Sequence, residues 1–124
     1  MTKLERFKSA AAFGGIHNLT PHAVTVAGVT YPPSGIVARV ATIHSEVVDG
    51  TTTVSYGPVE FFRDGKLITL SGYEFEGTVN IVSSLVLDRV RNWTTGVWVA
   101  PATGHPDVVR DERGQIVSVP AFIL

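Results

Sequence analysis

Two runs rich in β-branched residues, IVARVATIHSEVV (36–48) and TTTVSYGPVEFF (51–62), are joined by Asp49-Gly50, one of the strongest tight-turn dipeptides. That junction leaves little room for anything but a long β-hairpin. The same pattern recurs from His22 onward. HAVTVAGVTY alternates Ala23, Thr25 and Ala27 against Val24 and Val26, turns at Gly28 and returns through Val29-Thr30-Tyr31. Pro58 lacks an N–H, so Gly57-Pro58 marks an edge, a bulge or a strand end. RDGK (63–66) is another turn and LITLSG (67–72) a short strand.

The period changes in EGTVNIVSSLVLDRVRNW. Thr78 to Val82 reads as a buried strand. Ser83 or Ser84 is placed to cap a helix that runs to about Asn92. Val82, Val86, Val90 and Trp93 fall on one face, with Ser84, Asp88, Arg91 and Asn92 opposite. GVWVAP follows as a strand, ATGHPD as a loop, and VVRDERGQIVSVPAFIL as a terminal hairpin turning at 111–114. Near the start, Leu4, Phe7 and Ala11 have helical spacing within residues 3–13, and Gly14-Gly15 ends the segment. This piece reads as an arm that packs on a partner chain or as a frayed terminus. The expected fold class is therefore α+β: a mostly antiparallel β-sheet domain with one central helix and a short N-terminal helix. Residues 1–15 form the arm and 16–124 a single domain.

Composition narrows the function classes. A chain of 124 residues, 44% hydrophobic and 17% charged, can bury a core as one domain. With no cysteine, disulfides and thiolate chemistry are excluded. A net charge of −1 does not suit duplex nucleic acid, which selects a basic face. No apolar run approaches the roughly 20 residues of a membrane span, and the charged N-terminus does not read as a signal peptide. The expected location is the cytoplasm.

Catalytic and metal motifs are missing. His17, His22, His44 and His105 show no metal-ligand spacing. There is no phosphate-binding glycine loop and no nucleophile elbow. Glu74 and Glu76 would share a strand face as a carboxylate pair, or lie in a solvated loop. What remains is a set of polar groups at element ends. Asn18, Thr20 and His22 form one corner, and Pro32-Pro33-Ser34-Gly35 with Arg39 a second. Ser83-Ser84 stand at the helix start, Arg89, Arg91, Asn92 and Trp93 near its end, and Arg110-Asp111 in the terminal hairpin. Arginines, an asparagine and aromatic faces match a nucleotide-like ligand. The competing reading is turn chemistry, with arginines solvated or paired to Asp88, Asp107 and Asp111.

The order NLTPHAVTV, PPSGIVARV, VNIVSSLV and VVRDERGQIVSV resembles a group of small phage and prophage proteins. Within it, the chain is similar to the phage anti-Thoeris signal-sequestering (sponge) family, Thoeris anti-defence protein one. The likeness spans about residues 18–119. It implies an oligomeric, non-catalytic protein without cofactor, which holds an immune messenger such as glycocyclic ADP-ribose or a cyclic oligonucleotide between protomers. By motif, Arg110 would be the leading ligand arginine and Asn92 a polar contact. Arg39 with Ser34-Gly35 would lie near a phosphate or at a second site. Asn80 departs from the pattern, since an aromatic commonly precedes Ile-Val-Ser, so Trp93, Trp98 or Tyr56 would have to supply the stacking face. The expected ligand-contact set is Ser34, Gly35, Arg39, Ser83, Ser84, Arg91, Asn92, Trp93, Arg110 and Asp111. The alternatives are a small nucleotide-processing enzyme and a phage structural or assembly protein.

Overall fold

A computed structural model of the chain describes residues 1–70 and 72–124. The chain begins with helix α1 (Lys3–Phe13). Strands β1 (Ile16–Asn18), β2 (Val24–Val26), β3 (Val29–Tyr31), β4 (Ile36–His44), β5 (Val54–Arg63) and β6 (Lys66–Ile68) follow. A 3₁₀ turn (Gly72–Phe75) leads to β7 (Val79–Ile81), helix α2 (Ser84–Val90) and β8 (Val97–Pro101). Strands β9 (Val109–Arg110), β10 (Ile116–Ser118) and β11 (Phe122–Ile123) complete the chain. The α+β class holds, and of the two serines expected to cap the central helix, Ser83 is the cap and Ser84 the first helical residue. The Ser83 side chain accepts from the Val86 N–H. Of the LITLSG run, residues 67 and 68 lie in β6, and Ser71 lies outside the described residues.

The hairpin turns form where the dipeptides place them. Asp49 and Gly50, and likewise Asp64 and Gly65, all have positive φ, as a two-residue turn of this hand requires. β4 and β5 pair from Ile36↔Arg63 to His44↔Val54. Between Val40↔Val59 and Thr42↔Tyr56, Gly57 and Pro58 stand opposite Ala41 alone. The Gly-Pro pair is thus a β-bulge.

The centre of the molecule differs from an all-antiparallel plan. One sheet has the order β1-β7-β8-β11, and β1, β7 and β8 run parallel. A helix between two adjacent strands returns the chain to the same end of the sheet, which forces β7 and β8 parallel. The terminal segment also divides. β9 and β10 pair as the hairpin, but Phe122 and Ile123 leave it and pair antiparallel with β8.

This sheet is covered on both faces, as period-two alternation demands. Val79, Ile81 and Val99 meet Ala10 and Phe7 of α1, with Phe122 and Tyr31 alongside. Trp98 and Ala100 face the other way, where Val86, Leu87 and Val90 of α2 pack with Ala38 and Phe61 of the β4–β6 sheet. So α1 lies on its own chain's sheet. Its approach is close: a Cβ on Gly14 would sit 1.7 Å from the Gly77 carbonyl oxygen. A capping box fixes its start, with Thr2 Oγ1 accepting from the Glu5 N–H and the Thr2 N–H donating to Glu5 Oε1. Bonds from the Thr2 backbone and then its side chain hold the exposed Glu5 carboxyl below its ordinary pKa. Because the folded pKa is depressed, that contribution is present above the unfolded pKa and is lost as pH falls through the folded one.

The two polar corners have one explanation. Asn18 is 2% exposed. Its Nδ2 donates to the carbonyls of His22 (2.8 Å) and Tyr31 (2.9 Å), and its Oδ1 accepts from the Thr20 N–H (2.9 Å) and hydroxyl (2.6 Å). Its own carbonyl accepts from the Ser34 N–H at 2.9 Å. One side chain therefore ties the NLTPH corner to the end of the first hairpin, and its backbone ties in the PPSG corner. Replacing it removes a donor from the Tyr31 carbonyl and the acceptor of the Thr20 N–H, while the His22 carbonyl keeps the Thr20 hydroxyl. Asn18→Leu should lose about 3 kcal/mol of stability, read as a lower urea midpoint at unchanged slope.

Candidate functional site

The expected contact residues fall into separate places. Ser34 and Gly35 serve the corner itself: Ser34 Oγ bonds within its own turn, and Gly35 adopts φ +95° there. Arg110 and Asp111 lie in the β9–β10 hairpin. Arg110 Nη1 donates to the Gly114 carbonyl at 2.7 Å, and Asp111 Oδ1 accepts from the N–H groups of Arg113 and Gln115. Both are exposed and hold the turn together.

Arg39 and Ser83 share one hollow. With Pro21, Val37, Val40 and Leu85 they line a hollow at the N-terminal end of α2, about 580 Å³ counted with its open mouth. Arg39 stands opposite Glu60 in the β4–β5 register, and Ser83 already caps the helix. Ser84 is exposed at the first helical position. Eight residues separate Ser83 from Arg91, so the two ends of α2 lie roughly 12 Å apart.

At the other end of α2, Arg91 and Trp93 meet residues that were not expected. Lys3 and Arg6 of α1, with Val97 and Trp98 at the start of β8, complete a second hollow of about 430 Å³ by the same measure. Arg6 Nη2 donates to the Gly96 carbonyl at 3.1 Å. Gly96 has φ +75°, and a Cβ there would sit 2.4 Å from the Phe75 carbonyl oxygen. Only glycine lets the Thr94–Val97 segment come this close and present its carbonyl to Arg6. Arg91 Nε donates to Asp88 Oδ1 at 3.1 Å, a pair exposed on the helix surface. Asn92 is exposed on the turn between Arg91 and Trp93.

The aromatic wall is braced from behind. Phe61, Phe75, Trp98 and Trp93 form a ring of contacts with centroids 4.9–6.4 Å apart, and Trp93 meets Trp98 edge-on at 88°. Trp98 is 7% exposed and its Nε1 donates to the Thr95 carbonyl at 2.9 Å. Trp93 is 38% exposed and presents the accessible ring. Three cations and one carboxylate, Asp88, surround this wall. The arrangement suits an anion carrying a flat ring: guanidinium groups pair with phosphate, and an indole stacks on a base.

Other expected groups are engaged elsewhere. Arg89 lies 5.6 Å from the Tyr56 ring centroid and donates to the Tyr56 carbonyl, which fastens the β4–β5 hairpin to α2. Glu74 is in the 3₁₀ turn and Glu76 in the turn after it, so they do not form a strand-face pair. All four histidines are exposed, and no cluster among the described residues could hold a metal ion. No helix among the described residues is long and apolar enough to cross a membrane.

The sequence reading missed Lys3 and Arg6. Their spacing of three puts both on one face of α1, but only the docking of α1 brings that face beside Arg91. Compared with protein families, with characterised proteins and with solved structures, the chain matches none.

Asp88 restrains Arg91 in an exposed pair, which contributes little to stability. Asp88→Ala should change the urea stability by less than about 0.5 kcal/mol. It should also tighten inorganic phosphate binding, followed by fluorescence of the chain's two tryptophans, both of which line the hollow.

Proposed function

We propose that this protein is a phage anti-defence sponge that binds a cyclic nucleotide immune messenger in the host cytoplasm and holds it chemically intact. The reading is supported by the order of motifs from Asn18 to Val119 and by one structural observation. Lys3, Arg6 and Arg91 surround the accessible Trp93 ring in a single hollow. A sub-micromolar Kd needs more than about 8 kcal/mol. Charge-assisted hydrogen bonds contribute roughly 1.5–3 kcal/mol each, and a stacked base roughly 1–3 kcal/mol. Two or three such bonds with one stack are of the right size. The ligand chemistry sought is a nucleotide with at least one phosphate, such as a cyclic ADP-ribose isomer or a cyclic oligonucleotide.

The test is calorimetry with those compounds, followed by mass spectrometry of the ligand released after heat denaturation. Arg6→Ala and Arg91→Ala should each weaken binding about tenfold, the value of one lost charge-assisted bond, and the released ligand should be intact. A cleaved product would favour the nucleotide-processing alternative, and no binding of any of these compounds would reject the sponge. If Arg110→Ala abolishes binding while Arg6→Ala does not, the ligand sits at the terminal hairpin that the motif likeness implies.

Assembly is a second reading with its own observation. Beyond the bulge, the β4–β5 hairpin exposes Ile43, Val47, Val48, Val54 and Tyr56. An apolar two-stranded ribbon of this kind is a natural protein contact, which suits a homo-oligomer. Ile43→Lys should shift the mass measured by light scattering to a smaller species, whereas an unchanged mass would remove the ribbon from the assembly reading.

A further inference from the structure

The hollow at Arg91 does not end at Arg6. On the far side of that side chain lies another, of about 600 Å³ with its mouth, lined by Ser9, Phe13, Glu76, Gly77 and Thr94. The two share Arg6, Gly96 and Val97 as common walls. They therefore adjoin along α1, with the 3.1 Å bond from Arg6 to the Gly96 carbonyl in the wall between them. Lys3, Arg6, Ser9 and Phe13 recur at spacings of three, three and four, so they form one stripe down the helix, roughly 15 Å long at 1.5 Å per residue.

The two compartments differ in charge and in aromatic surface. The first has Lys3, Arg91 and the Trp93 ring. The second has Glu76, the small hydroxyls of Ser9 and Thr94, and Phe13, whose ring is 91% exposed. A carboxylate repels phosphate but accepts hydrogen bonds from sugar hydroxyls. The first hollow itself encloses only about 50 Å³, well below the usual small-molecule range of about 300–1,000 Å³. A ligand with two ring units would have to extend past Arg6.

We infer that the compartment beyond Arg6 is a subsite for a neutral, hydroxyl-bearing second ring unit of the ligand. The anionic group lies over Arg6, one base stacks on Trp93, and the second unit lies between Phe13 and Glu76. This rests on the nucleotide reading and adds a direction to it: the ligand enters phosphate-and-base first at Trp93, sugar-like end at Phe13. It also gives exposed Phe13 a use that packing does not, because the side chain contributes nothing to the core.

The experiment compares AMP, which has one base and one phosphate, with ADP-ribose, which carries a second sugar beyond the diphosphate. Calorimetry is run on the full chain and on Phe13→Ala, Glu76→Ala and Trp93→Ala. Phe13→Ala and Glu76→Ala should weaken ADP-ribose at least about fivefold, the lower bound for loss of a stacking or charge-assisted contact, and leave AMP unchanged. Trp93→Ala should weaken both. Phe13 and Glu76 are exposed, so both variants should fold with unchanged circular dichroism. If Trp93→Ala weakens both ligands while Phe13→Ala and Glu76→Ala affect neither, the subsite is rejected and the nucleotide reading stands. If the unaltered protein binds neither compound, nor any of the cyclic nucleotides, both fall together.

Discussion

Much of this fold hangs on two residues, Asn18 and Leu19. The Asn18 amide is buried and fully engaged, and no other side chain could donate twice and accept twice in that geometry. The backbone continues the linkage. The Leu19 N–H donates to the Ile81 carbonyl, and the Leu19 carbonyl accepts from the Ala38 N–H. The parallel sheet, the first hairpin, the PPSG corner and the large antiparallel hairpin all meet within a few ångströms. Left unpaired, each of those buried groups would cost about 1–3 kcal/mol, so the junction leaves little freedom in how the pieces join.

From that junction the packing follows. Val79, Ile81 and Val99 turn to one face and Trp98 and Ala100 to the other, and each face needs a cover. α2 fills one because it is the crossover between those strands. α1 fills the other, and two glycines permit the contact. Gly14 lets the helix end touch the backbone at Gly77, and Gly96 lets the loop before β8 reach Arg6. The candidate site is a consequence of the second contact. A helix that arrives to cover Val79, Ile81 and Val99 brings a cationic edge with it, and that edge lands next to the end of α2.

Much of the chemistry at element ends is local. Ser83 caps its helix, Asp111 caps its turn, Arg110 closes the same turn onto Gly114, and Ser34 stabilises its own corner. Residues of these types are the ones ligands use, because turns and ligands both offer unsatisfied polar groups. That shared chemistry is why a list of polar element ends over-collects candidates. What separates the Arg91 hollow is convergence: cations from two helices and a braced ring from the loop between α2 and β8.

The sequence by itself determined the first two hairpins and their turns, an interruption at Gly57-Pro58, the position of α2 and its buried face. These are set by φ preferences and by side-chain period within a few residues, and Asp49-Gly50 or Ser83 carries that information locally. The strand, helix and strand from Thr78 to Pro101 were legible in order, but their parallel pairing was not among the expectations. Tertiary structure alone decided where Phe122 and Ile123 pair, that Asn18 reaches Tyr31, and that Lys3 and Arg6 stand beside Arg91 and Trp93. Those contacts join residues 13 to 90 positions apart, and nothing local specifies them. They exist because burying both faces of one sheet is favourable, and burial fixes neighbours without regard to distance along the chain.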